Sequence, residues 1–276
     1  MFKPSGITGK LFGKYLRMGN HPAKIRIQNK MGKHCFPNGI LFEDEHRIQF
    51  QLLPNDWITR VFLKSGNYEA DSVKLAKQIM NNGGIMLDVG ANFGLFSCQV
   101  AGTCPEATLY AIEPNLKVLP QLLRHISLNR LDGRVKVIQS AASGKFELVS
   151  LVQPVSNNLG TTATATGFVS GLAVPGIPLN FLLEREKLPS VKLIKMDVEG
   201  YEFEVLKNFP FSDFNIENLI IEYNRLGSLT LVEWIGFFKR HGFEARDVLG
   251  HIIHGDEMEL PDHNIWFVNS KIVSAP

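Results

Sequence analysis

The fold of this chain is decided by ten residues, Ile85-Met-Leu-Asp-Val-Gly-Ala-Asn-Phe-Gly94. A short apolar run ends at the carboxylate of Asp88, a turn containing Gly90 and Gly94 follows, and an amphipathic segment begins directly after the turn. Because glycine has no Cβ, the backbone of such a turn can approach a ligand closely, and the N–H groups that open the next helix point toward it. The stretch therefore predicts a strand-turn-helix unit with a ligand at the turn.

A second apolar run, Ala107–Ile112, ends in Glu113, where an acid at the tip of a parallel strand can bind a ribose diol. The turn differs from the G-x-G-x-x-G pattern of nicotinamide and flavin sites, because Asn92 replaces the middle glycine. Asp88 would also repel a pyrophosphate and attract an amino group. These features favour S-adenosylmethionine, which has a cationic amino-acid head and no phosphate. The alternative is a doubly wound sheet with an incidental glycine turn.

The cofactor contacts are predicted at the ends of successive strands. Asp88 meets the amino-acid part, and Asn92 either binds its carboxylate or only forms the turn. Glu113 binds both ribose hydroxyls. After the third strand, the side chains of Ser140, Ala141 and Ala142 are small enough to leave room for adenine. The further residues assigned to this site are Gly90, Gly94, Pro114, Asn115, Ser140, Ala141 and Ala142.

A longer set of motifs resembles the FkbM-type methyltransferases over roughly residues 56–223. These motifs are Gly66-Asn-Tyr-Glu69, Asp88–Gly94, Ile112-Glu-Pro-Asn115, Lys195-Met-Asp-Val-Glu-Gly-Tyr-Glu202 and Ile220-Ile-Glu222. The resemblance implies an S-adenosylmethionine-dependent enzyme that methylates hydroxyls on sugars or other natural products. It also implies that Glu69 faces the cofactor.

Three carboxylates are the candidate catalytic groups. Methyl transfer to an alcohol needs a base or a metal close to the acceptor oxygen. Asp197 ends the fourth predicted strand, Glu199 follows two positions later, and Glu222 ends the fifth strand, where ligands bind in open α/β sheets. Lys195 faces the same way as Asp197 and is a further catalytic candidate, either as the ion-pair partner of Asp197 or as a group that orients the substrate. Which carboxylate is the base stays open, as does a divalent metal on Asp197, Glu199 and Glu222. The alternative role for Glu199 is capping of the next helix.

The apolar runs predict an α/β fold: a doubly wound, mostly parallel, seven-stranded sheet, of the Rossmann-like methyltransferase type that the motifs resemble. A strand pair at the C-terminus should be antiparallel, because too few residues separate it for a helical crossover. We predict strands at 85–89, 107–112, 135–140, 191–196, 218–223, 243–248 and 264–268. We predict helices at 71–80, 94–102, 115–129, 178–186, 201–208 and 229–241.

Outside this pattern, short strands are predicted at 24–28, 47–52 and 146–152, and residues 153–178 read as a long loop. Residues 1–22 read as irregular or partly helical. The predicted division is a small β-containing N-terminal extension, 1–55, and a methyltransferase domain, 56–276.

Composition favours a cytoplasmic enzyme. The three cysteines have no C-x-x-C spacing, which argues for reduced thiols and against a zinc site. The N-terminus has no apolar secretory core, and the most hydrophobic window, 83–102, contains Asp88 and Asn92, so no transmembrane segment is expected.

Charge is unevenly distributed. Residues 1–42 hold eight Lys/Arg and no acid, so the rest of the chain has 21 basic and 27 acidic residues and a net charge of −6. A basic arm of this kind is compatible with contact to an anionic membrane surface or nucleic acid, but its basic residues are scattered along the arm, which is typical of a solvated extension.

The sequence reading is therefore an O-methyltransferase with a small-molecule or glycan acceptor. A nucleic-acid methyltransferase is the second hypothesis, but the chain has no N-P-P-aromatic segment and no cysteine at the fourth strand tip. A non-catalytic cofactor-binding scaffold is the third. The identity of the acceptor and the oligomeric state stay open.

Overall fold

The computed structural model of this chain describes residues 3–4, 6–17, 30, 34–36, 38–54, 56–152, 163–166, 172–223, 229–255 and 260–271. The helices are α1 Gly6–Arg17, α2 Trp57–Ser65, α3 Ala70–Met80, α4 Leu95–Thr103, α5 Leu119–Leu128, α6 Leu179–Arg185, α7 Glu202–Leu206 and α8 Leu231–Arg240. The strands are β1 Lys3–Pro4, β2 Ile40–Glu43, β3 Gln49–Leu52, β4 Gly84–Val89, β5 Ala107–Ile112, β6 Val135–Ile138, β7 Ala141–Ser143, β8 Glu147–Val152, β9 Ala163–Thr166, β10 Leu172–Pro178, β11 Ser190–Val191, β12 Leu193–Met196, β13 Asn215–Ile216, β14 Asn218–Glu222, β15 Phe243–Asp247 and β16 Asn264–Asn269.

The main sheet has seven strands in the order β15-β16-β14-β12-β4-β5-β6. Five neighbouring strands are parallel, and β16 runs antiparallel to both β14 and β15. The predicted fold class and the antiparallel C-terminal pair are therefore confirmed. In register, Lys195 on β12 lies beside Asp88 on β4, which brings these two tips to the same edge of the sheet.

Two apolar layers cover the sheet. Helices α3, α4 and α5 and the N-terminal elements pack on one face around Phe93 and Phe62. Helices α6, α7 and α8 pack on the other face, where the Phe238 ring stacks on Phe267 with centroids 4.0 Å apart. Because both faces are covered, the central strands are apolar along nearly their whole length, which is the pattern that made them recognisable in the sequence.

The N-terminal elements contain structure that the sequence did not predict. Helix α2 and strands β1 and β2 were missed, while helix α1 agrees with the partly helical alternative for residues 1–22. The predicted strand at 24–28 lies outside the described residues. The signal for α2 was local: the side chain of Asp56 accepts a hydrogen bond from the N–H of Ile58 and caps the helix. These elements share a continuous core with the main sheet, and the division at residue 56 stays a prediction.

An accessory sheet in the order β7-β10-β8-β9 corrects the loop predicted over 153–178. Within that range the structure has β9 and β10, while 153–162 and 167–171 lie outside the described residues. Pro175 and Gly176 obscured the strand signal of β10, and Gly176 is needed because a Cβ there would lie 2.7 Å from a methyl of Val149. The strand predicted at 135–140 ends at Ile138 as β6 of the main sheet, and a separate, unpredicted strand, β7, begins at Ala141 in the accessory sheet.

Among the helices within the described ranges, none is long and apolar enough to cross a membrane.

Candidate functional site

The strand-tip acids predicted from the sequence meet at one edge of the main sheet. Asp88 lies near the end of β4, Glu113 directly follows β5, and Glu222 ends β14. Asp197 directly follows β12, and its N–H donates to the carbonyl of Val89 at 2.9 Å. Parallel strands end at the same edge, so residues far apart in sequence become neighbours there.

The glycine turn packs against the tip of β12. Gly90 has φ 83°, and a Cβ at this position would lie 1.8 Å from the carbonyl oxygen of Asp197. A Cβ at Gly94, which has φ 73°, would lie 2.3 Å from a methyl of Leu122 on α5. Asn92, between them, is also left-handed, with φ 50°. Both glycines are therefore required by packing, in addition to the close approach that the sequence predicted.

Glu113 holds the glycine turn to the tip of β5. One carboxylate oxygen accepts the N–H of Asn92 and the other accepts the N–H of Asn115, each at 2.7 Å. Burial raises the pKa of Glu113 to about 7, and these two hydrogen bonds oppose the rise. A carboxylate has about four acceptor positions, so positions remain for the ribose hydroxyls that the sequence assigned to this residue.

Lys195 is a buried cation with three acidic neighbours. Its Nζ lies 3.1 Å from Oδ2 of Asp197 and 3.5 Å from Oε2 of Glu69. Burial lowers a lysine pKa, but the charges of Asp197, Glu69 and Asp88 outweigh it and raise the pKa of Lys195 well above its ordinary value. The sequence predicted the pair with Asp197, and the structure adds Glu69 to it.

Asp88 lies at the bottom of the site. It is 1% exposed, and the hydroxyl of Ser97 on α4 donates to its Oδ2 at 2.6 Å. Burial raises the pKa of Asp88, while Lys195 opposes that rise. Ser97 was missed in the sequence, where it appears only as a small polar residue in an otherwise apolar helix.

A second group of carboxylates lies beside the first. Among the described residues, Asp197, Glu202 and Glu222 have carboxylate oxygens within 4.8 Å of one another. Burial, the charge of Asp197 and a hydrogen bond with Asp197 raise the pKa of Glu222. Glu222 therefore keeps its proton to a higher pH than an ordinary glutamate does, beside the carboxylate of Asp197.

Glu202 occupies the position in this group that the sequence had assigned to Glu199. Glu202 begins α7, and its Oε1 accepts the N–H groups of Val198 at 2.9 Å and Gly200 at 3.2 Å. Glu199 lies in an exposed turn with φ 57°. Burial and the charge of Asp197 raise the pKa of Glu199 to about 7. The motif contained both acids, but only the turn geometry distinguishes them.

The remaining predicted residues line the next strand tips. Ser140 is 1% exposed, and its Oγ has no hydrogen-bond partner among the described residues. Ala141 and Ala142 are buried at the start of β7. Pro114 and Asn115 lie in the turn after β5. The helix predicted to begin at residue 115 begins at Leu119 as α5.

A small cavity of about 30 Å³ lies between these groups, lined on its polar side by Glu69, Asp88, Lys195 and Asp197. Ligand sites usually measure about 300–1,000 Å³, so a cofactor needs side chains to move before it can enter. Tyr68 lines this cavity and also a cleft of about 600 Å³ along the outside of α3. Sequence reasoning quoted Tyr68 in a motif but did not assign it to the site.

Part of this chain is similar in sequence to known methyltransferases. The model of the methyltransferase FkbM domain matches residues 88–245. Hexuronic acid methyltransferase AglP of Haloferax volcanii is 27% identical over 155 residues, 56% of this chain and 62% of that protein. Methyltransferase sdnD of Sordaria araneosa is 30% identical over 168 residues, 50% of this chain and 65% of that protein. The match thus spans less than two thirds of either relative.

Solved structures with related folds include TrmK of M. capricolum in complex with S-adenosyl-homocysteine, at 16% identity and a TM-score of 0.42 over 71% of this chain and 65% of that chain. Fibrillarin of Aeropyrum pernix, solved with S-adenosyl-L-methionine, has 14% identity and a TM-score of 0.41 over 72% and 76%. The matched region, 88–245, begins at the glycine turn and includes the tips of β5, β12 and β14. By that match, over more than half of its length, this chain belongs to the FkbM methyltransferase family.

Proposed function

We propose that this protein is an S-adenosylmethionine-dependent O-methyltransferase whose acceptor is a hydroxyl on a sugar, glycan or similar natural product. The observation that carries the proposal is the shared edge of β12 and β14. There a buried cation, Lys195, holds Asp197 beside Glu222, next to the glycine turn of β4. This edge combines a cofactor turn with a group that can accept a proton.

In this proposal the amino-acid end of S-adenosylmethionine lies in the cavity between the glycine turn and Lys195. Asp88, Glu69 and the turn residues Gly90 to Gly94 surround that end. The ribose lies at Glu113, and the adenine lies against Ser140, Ala141 and Ala142, where the buried Ser140 hydroxyl supplies a hydrogen-bonding group. Pro114 and Asn115 shape the turn behind the ribose.

The acceptor half assigns the proton to the Asp197–Glu222 pair. As the acceptor oxygen attacks the methyl carbon, the bond from sulfur to that carbon breaks and the sulfonium becomes a neutral sulfide. The hydroxyl proton passes to a carboxylate of this pair, which acts as the general base. Lys195 orients Asp197. The similarity to a protein named as a hexuronic acid methyltransferase supports a sugar acceptor.

A divalent cation fits the second carboxylate group by donor type, since Mg²⁺ and Ca²⁺ prefer oxygen ligands. Asp197, Glu202 and Glu222 would hold it, and it would polarise the acceptor hydroxyl. Two backbone N–H groups already bond to Glu202, and Lys195 to Asp197, so the protein neutralises part of this charge itself. Measuring the turnover with and without a chelator tests whether a divalent cation is required.

Calorimetry tests the cofactor assignment. S-adenosylmethionine or its demethylated product should bind, and NAD should give no measurable heat. Glu113→Ala should weaken the binding by about 10²- to 10⁴-fold, because two ribose hydrogen bonds are lost and each bond to a charged acceptor contributes about 1.5–3 kcal/mol. Binding of NAD, or unchanged affinity in the folded variant, would refute the assignment.

The acceptor class is tested by transfer of a labelled methyl group to glycan, lipid and RNA fractions. Label in the glycan fraction supports the proposal. Label in RNA would favour the second candidate, a nucleic-acid methyltransferase, which the basic residues 1–42 make worth testing. Cofactor binding without transfer to any fraction would favour a non-catalytic scaffold.

A further inference from the structure

The N-terminus of α3 is not capped by its own N-cap residue. Glu69 occupies that position with φ 47° and ψ 47°, and its side chain makes no capping hydrogen bond. Its carboxylate points instead to Lys195, 3.5 Å from the Nζ. At most helix starts the N-cap side chain accepts the N–H of the second or third helical residue. In α3 those donors are Asp71 and Ser72.

Asp262 bonds to both donors from the other end of the chain. Its Oδ2 accepts the N–H groups of Asp71 and Ser72, each at 2.9 Å, across 191 and 190 residues of sequence. Asp262 has φ 54°, a left-handed conformation that L side chains rarely adopt. A strained residue at a helix N-terminus is held there by its surroundings, and both capping bonds depend on its position.

The same segment is joined to the tip of β14. The side chain of Asn264 donates to the Ser72 hydroxyl at 3.0 Å, and Asn264 lies opposite Glu222 in the sheet. The carbonyl of His263 accepts the N–H of Tyr223 at 2.7 Å. Residues 260–264 therefore connect the start of α3, where Glu69 lies, to the strand that ends in Glu222.

We propose that Asp262 is a positioning residue of the methyltransferase site. By capping α3 in place of Glu69, it leaves the Glu69 carboxylate available for Lys195. It thereby holds the Glu69–Lys195–Asp197 chain in place at the cofactor cavity. The proposal rests on the function proposed above, since it assigns a purpose to the position of Glu69. A purely structural cap would stabilise α3 without any influence on Lys195.

A double-mutant cycle separates these two roles. Asp262→Ala should weaken S-adenosylmethionine binding by about three- to tenfold, the size expected when a cap worth about 1 kcal/mol is lost. In a Glu69→Gln background the same change should have no further effect, because the residue through which Asp262 acts is already altered. Equal losses in both backgrounds, or no loss in either, would overturn the proposal.

Control variants account for general destabilisation. Thr230→Ala removes the N-cap of α8, where the Thr230 side chain accepts the N–H of Glu233, and it should leave cofactor affinity unchanged. Asp262→Asn retains an acceptor oxygen and should restore most of the affinity. If Asp262→Ala does not fold, Asp262→Gly replaces it in both backgrounds, since glycine removes the acceptor and adopts the left-handed φ of 54° without strain.

A readout without cofactor keeps the inference separate from the proposed function. The ¹⁵N resonance of the Lys195 amine reports its carboxylate partners in the free protein. It should shift in Asp262→Ala and stay unchanged in Thr230→Ala. If the wild-type protein binds no S-adenosylmethionine, the proposed function fails while this shift still supports the positioning role. An unchanged resonance in Asp262→Ala would refute it.

Discussion

At the scale of single residues, Asp197 connects the cofactor turn with the proposed catalytic carboxylates. It accepts from Lys195, forms a hydrogen bond with Glu222, and follows the strand whose tip packs against Gly90. The sequence located Asp197, because an acid after an apolar strand has few structural explanations. The sequence could not distinguish Glu199 from Glu202. The left-handed backbone at Glu199 leaves Glu199 exposed and Glu202 buried, and residue type alone does not predict this backbone conformation.

Asp197→Asn should lower methyl-transfer turnover by about 10²- to 10⁴-fold, the range for loss of a general base, with little effect on cofactor affinity. The substitution keeps the shape and removes the charge. Asp132→Asn is the matched control, since Asp132 is exposed and precedes β6 at the opposite edge of the sheet. Single-turnover rates make the comparison, and a folded, nearly fully active Asp197→Asn enzyme would move the role to Glu222.

The buried carboxyls predict a pH dependence of stability. Burial raises the pKa of Glu113 from 4.5 to about 7, and it also raises the pKa of Asp88. The folded state therefore binds protons more tightly than the unfolded state, and the free energy of unfolding should fall as pH rises from 4.5 to about 7. Urea denaturation of the cofactor-free protein across this window measures it. Glu113→Gln should flatten the curve, and a rise in stability with pH would contradict the assignment.

At the scale of elements, the core strands and the accessory strand β8 were predicted almost to the residue, whereas the accessory strands β7, β9 and β10 were not predicted. Strands β5 and β14 are buried on both faces, so their sequences are continuous apolar runs. Strand β10 has one exposed face and contains Pro175 and Gly176, so its composition is typical of a loop. Its backbone nevertheless pairs with β7 and β8. Pairing partners, which decide such a strand, are not visible along the chain.

The turn between β4 and α4 gives a prediction at this scale. Gly90→Ala should destabilise the protein by several kcal/mol and abolish cofactor binding, because the new Cβ would lie 1.8 Å from the carbonyl oxygen of Asp197. Gly250→Ala is the control: Gly250 has φ 100° and open space around it, so it should show only the backbone cost of about 1–2 kcal/mol. Urea midpoints compare them, and equal losses would mean that the turn tolerates the Cβ.

For the whole molecule, the asymmetry of charge is the feature that the site does not explain. Helix α1 presents Lys10 and Lys14 to solvent together with Ile7 and Leu11, which are 78% and 62% exposed. All the predicted cofactor motifs begin at Gly66 or later. We therefore expect this arm to contact an anionic acceptor or membrane surface and to take no part in the cofactor site.

Replacing Lys10 and Lys14 with glutamine should leave the affinity for S-adenosylmethionine unchanged. It should weaken binding to anionic vesicles or an anionic acceptor at low salt, and the difference should shrink at physiological ionic strength, where screening limits such attractions to about 8 Å. Lys239→Gln on α8 is the control. Collapse of cofactor binding would place the arm in the cofactor site, and an unchanged partner affinity at low salt would leave it a solvated extension.

The accessory sheet enters and leaves the main fold at a single place. Ser143, where β7 ends, and Pro178, where β10 ends, are paired neighbours. The chain between them can therefore change length at small entropic cost, about 0.6 kcal/mol for each doubling of a flexible loop, while both anchor points stay where they are. We therefore expect changes in chain length between β8 and β10 to leave β7 in place, so that the choice of acceptor can change without rebuilding the part that we propose holds the methyl donor.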